Sequence, residues 1–341
     1  MSQYIIQTRD LTKTYGEQKS VSNLNMHVRK GKIYGLLGRN GAGKTTTMKM
    51  LLNLIEPTSG SIRIFNRDIR LEEKKILPRI GSLIESPGFY PNLTGTENLR
   101  IFAKLRGIPR TDAIEQALKL VNLPYKDKKL YSQYSLGMKQ RLAIALAVMH
   151  DPEILILDEP INGLDPIGIA EIRTFIEDLS KNRGKTILIS SHILSEIAVL
   201  ADDIGIIDKG VLIEEGSMKE WEEKNGKYIH FKVSDNAQAA RILSVYYKES
   251  NFKVSGNQDI NVYNLSISIP DIVRSFVQEG VDVMDAHLCE DTLEDYFKKV
   301  TGGEGIAWFS QMWVYKIEKK ENHAHADCII MFFPLNCGYD N

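Results

Sequence analysis

The segment GRNGAGKT, from Gly38 to Thr45, constrains this chain more than any other feature. It fits the pattern G-x-x-x-x-G-K-[ST] at every fixed position, and it lies between the apolar run KIYGLL and the segment MKMLLNLI. The first run predicts a buried strand and the second a helix, so the turn would bring backbone N–H groups and a helix N-terminus to an anion. The chain is therefore predicted to bind a nucleoside triphosphate.

The residues of this loop have separate expected tasks. The lysine, Lys44, is expected to meet the β- and γ-phosphates, and the hydroxyl of Thr45 to bind Mg²⁺. An ordinary glycine-rich turn is the alternative, but the order of strand, loop, Lys-Thr pair and helix disfavours it. The predicted nucleotide-binding residues of this segment are Gly38, Arg39, Asn40, Gly41, Ala42, Gly43, Lys44, Thr45 and Thr46.

A second motif, ILILDEP at 154–160, ends an apolar run in two adjacent carboxylates. Phosphate-loop NTPases place a metal-holding Asp in this position, so Asp158 is predicted to hold Mg²⁺. Glu159 is predicted to act as the catalytic base that directs water at the γ-phosphate. A helix-capping turn is the alternative, and it loses ground because the phosphate loop is also present.

A third motif, SSH at 190–192, follows the apolar run TILIS. It would place His192 at the carboxyl end of a parallel strand, where α/β sheets bind their ligands. We therefore predict that His192 contacts the γ-phosphate. A single histidine at a strand end is more often a surface or core residue, so this prediction depends on the other motifs.

Composition and periodicity suggest two domains. The chain has 341 residues, 43% of them hydrophobic and 26% charged, which is typical of a globular protein. We predict a nucleotide-binding domain over 1–226 with a helical insertion at about 95–150, and a small α+β accessory domain over 227–302. The tail, 303–341, has no sustained period and is predicted to be irregular and poorly ordered.

Charge and cysteine content exclude several classes of protein. Lys plus Arg (43) nearly balances Asp plus Glu (44), so no global field would recruit nucleic acid, and we expect no nucleic-acid partner. Three cysteines without a C-x-x-C pair argue against a disulfide framework. We see no signal-peptide layout and no apolar run long enough to span a bilayer, so any membrane role is expected to work through a partner.

Together, these motifs resemble those of the ATP-binding cassette ATPases. The resemblance covers roughly residues 3–217. Its parts are Tyr15, GRNGAGKT, YSLGMKQR at 134–141, ILILDEP, NGLD at 162–165 and SSH. YSLGM departs from the commonest signature, LSGGQ, but it is similar to the form in bacitracin and lantibiotic exporter subunits, as are SLIESPGFY and DPIGIAEIR.

The resemblance implies a fold, a reaction and an assembly. The fold would be a phosphate-loop NTPase cassette: a mixed, largely parallel sheet with a β-rich lobe and a helical insertion. Two cassettes, expected to be a homodimer, would hydrolyse ATP with Mg²⁺ at sites between them. Tyr15 would stack on adenine, Ser135 and Gly137 would close the site from across the interface, and Asp165 would link the two sites.

One departure from the family pattern is Glu85, where most cassettes carry Gln. The substitution resembles the lantibiotic-immunity branch. A carboxylate there could contact the metal or the attacking water, so Glu85 is predicted as a catalytic and metal-binding residue. An exposed loop acid without a catalytic role is the alternative.

The resemblance also implies a separate membrane permease as partner, with the chain at the cytoplasmic face of the cell membrane. The system would export, or protect against, a peptide antibiotic. The segment Phe89 to Leu99, with aromatics expected to be exposed, would receive the permease. The alternatives are a soluble cassette acting on the ribosome or DNA and a regulator without turnover. A single phosphate loop disfavours the first, and Glu159 disfavours the second.

The tail offers a rival motif, because two histidines and two cysteines could supply zinc ligands. The residues are His323, His325, Cys328 and Cys337. Their spacing matches no zinc-finger template, which favours a chance occurrence in appended sequence.

Overall fold

A computed structural model describes residues 3–110, 112–224, 227–289 and 292–301. The predictions for the 303–341 tail, including its zinc alternative, lie outside these residues and stay untested. The strands are β1 (Tyr4–Tyr15), β2 (Gln18–Leu24), β3 (His27–Arg29), β4 (Ile33–Leu37), β5 (Ser59–Ile64), β6 (Arg67–Asp68), β7 (Ile80–Leu83), β8 (Ile154–Leu157), β9 (Thr186–Ser191), β10 (Asp203–Asp208), β11 (Val211–Ser217), β12 (Tyr228–Val233), β13 (Phe252–Ser255), β14 (Asp259–Val262) and β15 (Val283–Cys289).

Helices connect these strands and cover the sheets. They are α1 (Lys44–Leu51), α2 (Ile69–Ile76), α3 (Gly95–Leu105), α4 (Ala113–Leu120), α5 (Leu136–Val148), α6 (Pro166–Lys181), α7 (Leu194–Leu200), α8 (Met218–Lys224), α9 (Asn236–Tyr246), α10 (Ile269–Gln278) and α11 (Leu293–Val300).

The core is a six-stranded sheet in the order β11-β10-β4-β9-β8-β7. Its neighbours pair in parallel, except for the hairpin β10–β11. Every residue of β4, β8 and β9 is buried, as expected for parallel strands covered on both faces. The predicted fold class is confirmed.

The parallel strands bring the three motifs to one edge of the sheet. The phosphate loop follows β4, Asp158 and Glu159 follow β8, and His192 follows β9. These strands are neighbours, and their carboxyl ends face the same way. This edge is where α/β sheets bind ligands.

A β-rich lobe packs on the core sheet. Its sheet has the order β2-β1-β5-β6, with β3 paired to β1. One hydrophobic cluster joins lobe and core, because Ile6 and Leu11 of β1 share it with Leu36 of β4 and Ile156 of β8. Burial of this continuous apolar surface stabilises the lobe against the core.

Helices α3, α4 and α5 lie within the predicted insertion, and caps define where two of them begin. Thr94 and Glu97 form a capping box at the start of α3. Ser135 caps α5 by accepting a hydrogen bond from the amide of Met138. The helices pack through buried side chains such as Leu99.

The prediction that the aromatic side chains of segment 89–99 are exposed is wrong for one of the two. Phe89 is only 8% exposed, because it packs edge-on against Phe102 and Tyr131 at centroid distances of 5.6 and 5.2 Å. Tyr90 is 52% exposed, as expected.

The accessory segment forms its own antiparallel sheet, β13-β14-β12-β15, with α9 and α10 packed on one face. Phe231 and Phe276 meet at the centre of this second core, 5.5 Å apart in an edge-on arrangement. Helix α11 packs elsewhere: its Leu293 and Phe297 belong to the hydrophobic core of the nucleotide-binding domain. Among the described residues, no helix is both long and apolar enough to cross a bilayer.

Candidate functional site

The phosphate loop requires glycine at two positions for steric reasons. A Cβ on Gly38 would lie 2.4 Å from the carbonyl oxygen of Ile207. Gly43 has a φ of +110°, and a Cβ there would lie 2.7 Å from the carbonyl oxygen of Ser20. Gly41, at a φ of +80°, faces open space. Gly41 and Gly43 let the backbone adopt left-handed conformations, and Gly38 lets it pass close to Ile207, so the loop can turn tightly around an anion.

Lys44 holds a buried cation over this loop. Its Nζ donates to the carbonyl oxygens of Gly38 (2.7 Å) and Arg39 (3.2 Å), and it lies 3.2 Å from Glu159 Oε1. Within the described residues Glu159 Oε1 accepts no hydrogen bond, so this last contact is ionic only. Lys44 is only 5% exposed and contacts one carboxylate, and a buried ammonium of this kind is suited to binding a triphosphate.

Thr45 and Asp158, two of the three predicted metal ligands, are in direct contact. Thr45 Oγ1 donates to Asp158 Oδ2 at 2.7 Å. Ser190 donates to the other carboxylate oxygen, Oδ1, at 2.5 Å. This set consists only of oxygen atoms, which suits Mg²⁺. In the described part of the chain no cluster of three or more His, Cys, Asp or Glu side chains could hold a metal. That is compatible with Mg²⁺, which usually takes one or two protein carboxylates together with phosphate oxygens and water.

Glu159 and His192 form a pair at the ends of β8 and β9. His192 Nδ1 lies 2.7 Å from Glu159 Oε2. Glu159 has a φ of +48°, which is unusual for a residue with a side chain, and its amide donates to Ser190 Oγ at 2.9 Å. Strain of this kind is common at functional sites, where the surrounding contacts hold a side chain in one direction.

Glu85 lies in the loop after β7 and faces Lys49 rather than the metal ligands. Lys49 Nζ donates to Glu85 Oε1 at 2.6 Å, and the Glu85 side chain is 68% exposed. The hydrogen bond that Lys49 donates to Glu85 raises the pKa of Lys49, and the charge of the Glu85 carboxylate adds to this. Lys49 is one helical turn beyond Thr45 on α1, so the pair lies beside the metal ligands. The metal and catalytic roles of Glu85 stay predictions.

The signature residues lie together in a separate place. Ser135 and Gly137 at the start of α5 line a cavity of about 500 Å³ with Asp165, which caps α6 by accepting from the amide of Gly168 at 3.1 Å. No residue of the phosphate loop is among the described residues that line it. Leu136, in the same cavity wall, is 55% exposed. The geometry therefore leaves the signature facing outwards.

Tyr15 is also on the surface, 52% exposed, with Lys13 Nζ 5.0 Å from its ring centroid. An exposed aromatic face of this kind is available for stacking, as the adenine prediction requires.

Sequence reasoning missed three contributors to the site. Ser190 bridges Asp158 and the Glu159 amide, Lys49 binds Glu85, and Gln140 on α5 donates to the carbonyl oxygen of Pro160 at 2.7 Å. Ser190 had a usable signal, since it precedes the histidine of SSH. The position of Lys49 four residues after Thr45 also places it on the same helix face.

Comparisons with known proteins identify relatives of this chain. A profile of the ABC transporter family matches residues 21–162. The bacitracin transport ATP-binding protein BcrA of Enterococcus faecalis is 52% identical over 305 residues, 89% of this chain and 99% of the relative. The lantibiotic transport ATP-binding protein SrtF of Streptococcus pyogenes is 46% identical over 211 residues, 62% of this chain and 90% of the relative.

A solved structure gives the same fold. A dimeric ATP-binding cassette in a post-hydrolysis state, bound to ADP and Pi, is 25% identical with a TM-score of 0.57. The match covers 62% of this chain and 98% of that one.

Proposed function

This chain belongs to the ABC transporter family of ATP-binding proteins, and we propose that it powers a separate membrane permease handling a peptide antibiotic of the bacitracin or lantibiotic kind. The observation that carries this proposal is the convergence of Lys44, Asp158, Glu159 and His192 at one sheet edge, in a chain that matches BcrA over nearly its whole length. Because these relatives are named as transport proteins, the ribosome-directed alternative is not favoured.

The residues of the site divide the work of hydrolysis. Lys44 and the glycine loop would bind the triphosphate, and Thr45 and Asp158 would hold Mg²⁺, which when bound offsets charge on the phosphate oxygens. Glu159 is the group placed to take a proton from the attacking water, and His192 fixes its carboxylate from the other side. Ser190 hydrogen-bonds to both the Asp158 carboxylate and the Glu159 amide, and so fixes their positions relative to each other.

A second copy of the chain would complete each site. Ser135, Gly137 and Asp165 are grouped around an open cavity away from the phosphate loop. A partner cassette placed head to tail would bring them against the nucleotide held by the loop, and would cover the exposed side chain of Leu136.

The permease would contact the side of the cassette near α3. Tyr90 is exposed there, next to Asn98, whose side chain fixes the Tyr90 backbone at 2.7 and 3.1 Å. A cleft of about 390 Å³ lies between Leu54, Pro78 and Arg106. An exposed ring on a restrained backbone and a partly apolar cleft are each suited to contact with a protein partner. This contact would hold the chain at the cytoplasmic face of the membrane.

The proposal is tested with the chain co-purified with its permease and reconstituted in lipid. Mg²⁺-dependent release of phosphate, stimulated by bacitracin or a lantibiotic and lost in the Glu159→Gln variant, is the expected result. Phosphate release that no peptide antibiotic changes would contradict the substrate class. Absence of any ATP-dependent phosphate release would contradict the whole proposal.

A further inference from the structure

We propose that α11 is an internal brace that holds the phosphate loop in its binding conformation, with Thr301 as a positioning residue for Arg39. The inference rests on nucleotide binding by the loop, as proposed above, but not on the identity of the transported substrate.

Helix α11 is anchored in the core of the nucleotide-binding domain. Leu293 and Phe297 are 2% and 1% exposed, and both lie in the same hydrophobic cluster as Leu194 of α7. Helix α7 begins two residues after His192. Burial of an aromatic and a leucine side chain is a substantial apolar contribution, so α11 is held firmly against the helix that follows the catalytic histidine.

Polar contacts fix the rotation of the helix. The hydroxyl of Tyr296 donates to Glu214 of β11, and its ring meets Trp221 edge-on at 5.9 Å. Burial and this hydrogen bond raise the pKa of Tyr296 to about 12, so the phenol stays protonated and remains a donor at physiological pH. The next turn of the helix is thereby directed towards the phosphate loop.

The end of α11 reaches the loop itself. Arg39 Nη2 donates to Thr301 Oγ1 at 3.2 Å. The Thr301 hydroxyl donates its own hydrogen to the carbonyl oxygen of Phe297 at 2.8 Å, which leaves its lone pairs for Arg39. The direction of the hydrogen bond between α11 and the loop is therefore fixed.

Arg39 is held from two sides. Its side chain binds Thr301, and its carbonyl oxygen accepts from the buried ammonium of Lys44 at 3.2 Å. A loop residue restrained at both its side chain and its backbone loses less freedom when an anion binds. Thr301 is therefore expected to increase nucleotide affinity without touching the nucleotide.

A double-mutant cycle on the full chain tests this link. The variants are Thr301→Val, Arg39→Ala and the double change, and the readout is affinity for a fluorescent ADP, which needs no turnover. Thr301→Val should weaken ADP binding by roughly threefold to tenfold, the size expected for the net contribution of one ordinary hydrogen bond. In the Arg39→Ala background the same change should have almost no effect.

Two controls make the result interpretable. Lys298→Ala alters the exposed face of the same helix, where Lys298 is 3.8 Å from Asp295, and should leave ADP affinity unchanged. Amide hydrogen exchange across 38–45 should be faster in Thr301→Val than in Lys298→Ala. Equal ADP affinity in Thr301→Val and the parent, or an effect that persists undiminished with Arg39→Ala, would overturn the inference. Failure of the parent chain to bind nucleotide would instead overturn the proposed function.

Discussion

The carboxylate of Glu159 lies between two groups: His192 Nδ1 is 2.7 Å from Oε2, and Lys44 Nζ is 3.2 Å from Oε1. The contacts come from the ends of three neighbouring parallel strands, so the sheet itself sets the distances between them. This arrangement fixes the base candidate next to the lysine that would meet the phosphates, and it motivates the first prediction.

Glu159→Gln should lower kcat for ATP hydrolysis by about 10²–10⁴ while ATP binding is retained, because the amide keeps the shape but cannot accept a proton. Steady-state phosphate release and nucleotide titration measure the two effects separately. Turnover at the parent rate would show that another group acts as the base.

Lys49→Met should weaken ATP binding by about twofold to fivefold, since it leaves the Glu85 carboxylate without its cation beside the phosphate site. ADP, which lacks the γ-phosphate, should be affected less. Adding Glu85→Gln should restore ATP affinity, because it removes the uncompensated charge. Titration with ATP and ADP gives the comparison, and equal losses for both nucleotides would argue against repulsion from Glu85.

The stability of the fold should fall at mildly acidic pH through His150. Burial, followed by the charge of Arg106, lowers the pKa of His150, and its Nε2 lies 3.1 Å from the carbonyl oxygen of Ile80. The unfolded chain takes up the proton first, at about pH 6.5. The neutral His150 side chain therefore makes its full contribution to the free energy of unfolding above that pH. The contribution declines as the pH falls through the lower pKa that His150 has in the folded protein.

His150→Gln removes this titration and provides the comparison. Urea unfolding at pH 7.5 and 5.5 should show a smaller loss of unfolding free energy on acidification in the variant than in the parent. Identical losses in both proteins would rule out His150 as a contributor.

Much of the fold and the site was predictable because the informative signals are local. Buried strands such as β8 are continuous apolar runs in the sequence. Asp158 and Glu159 directly follow β8, at the carboxyl end of the strand, where parallel sheets bind their ligands. The loop glycines and Lys44 form an uninterrupted motif, whose geometry depends on few distant residues.

The parts that were missed depend on packing between distant segments. Phe89 was expected at the surface, but α3 and the segment before α5 supply Phe102 and Tyr131 to cover it. The pattern over 227–302 predicted a small α+β domain, but it did not reveal that Phe297 enters the core of the nucleotide-binding domain. The partner of Lys49 could not be foreseen either, since the path of the Glu85 loop is set by the sheet.

The central claim, that ATP is held between the phosphate loop of one copy and the signature of another, is tested most directly by sedimentation velocity of the Glu159→Gln variant with Mg²⁺ and ATP. A species of about twice 38.6 kDa, lost on adding Ser135→Arg, is the expected result. A chain that binds ATP yet sediments as a single copy would contradict it.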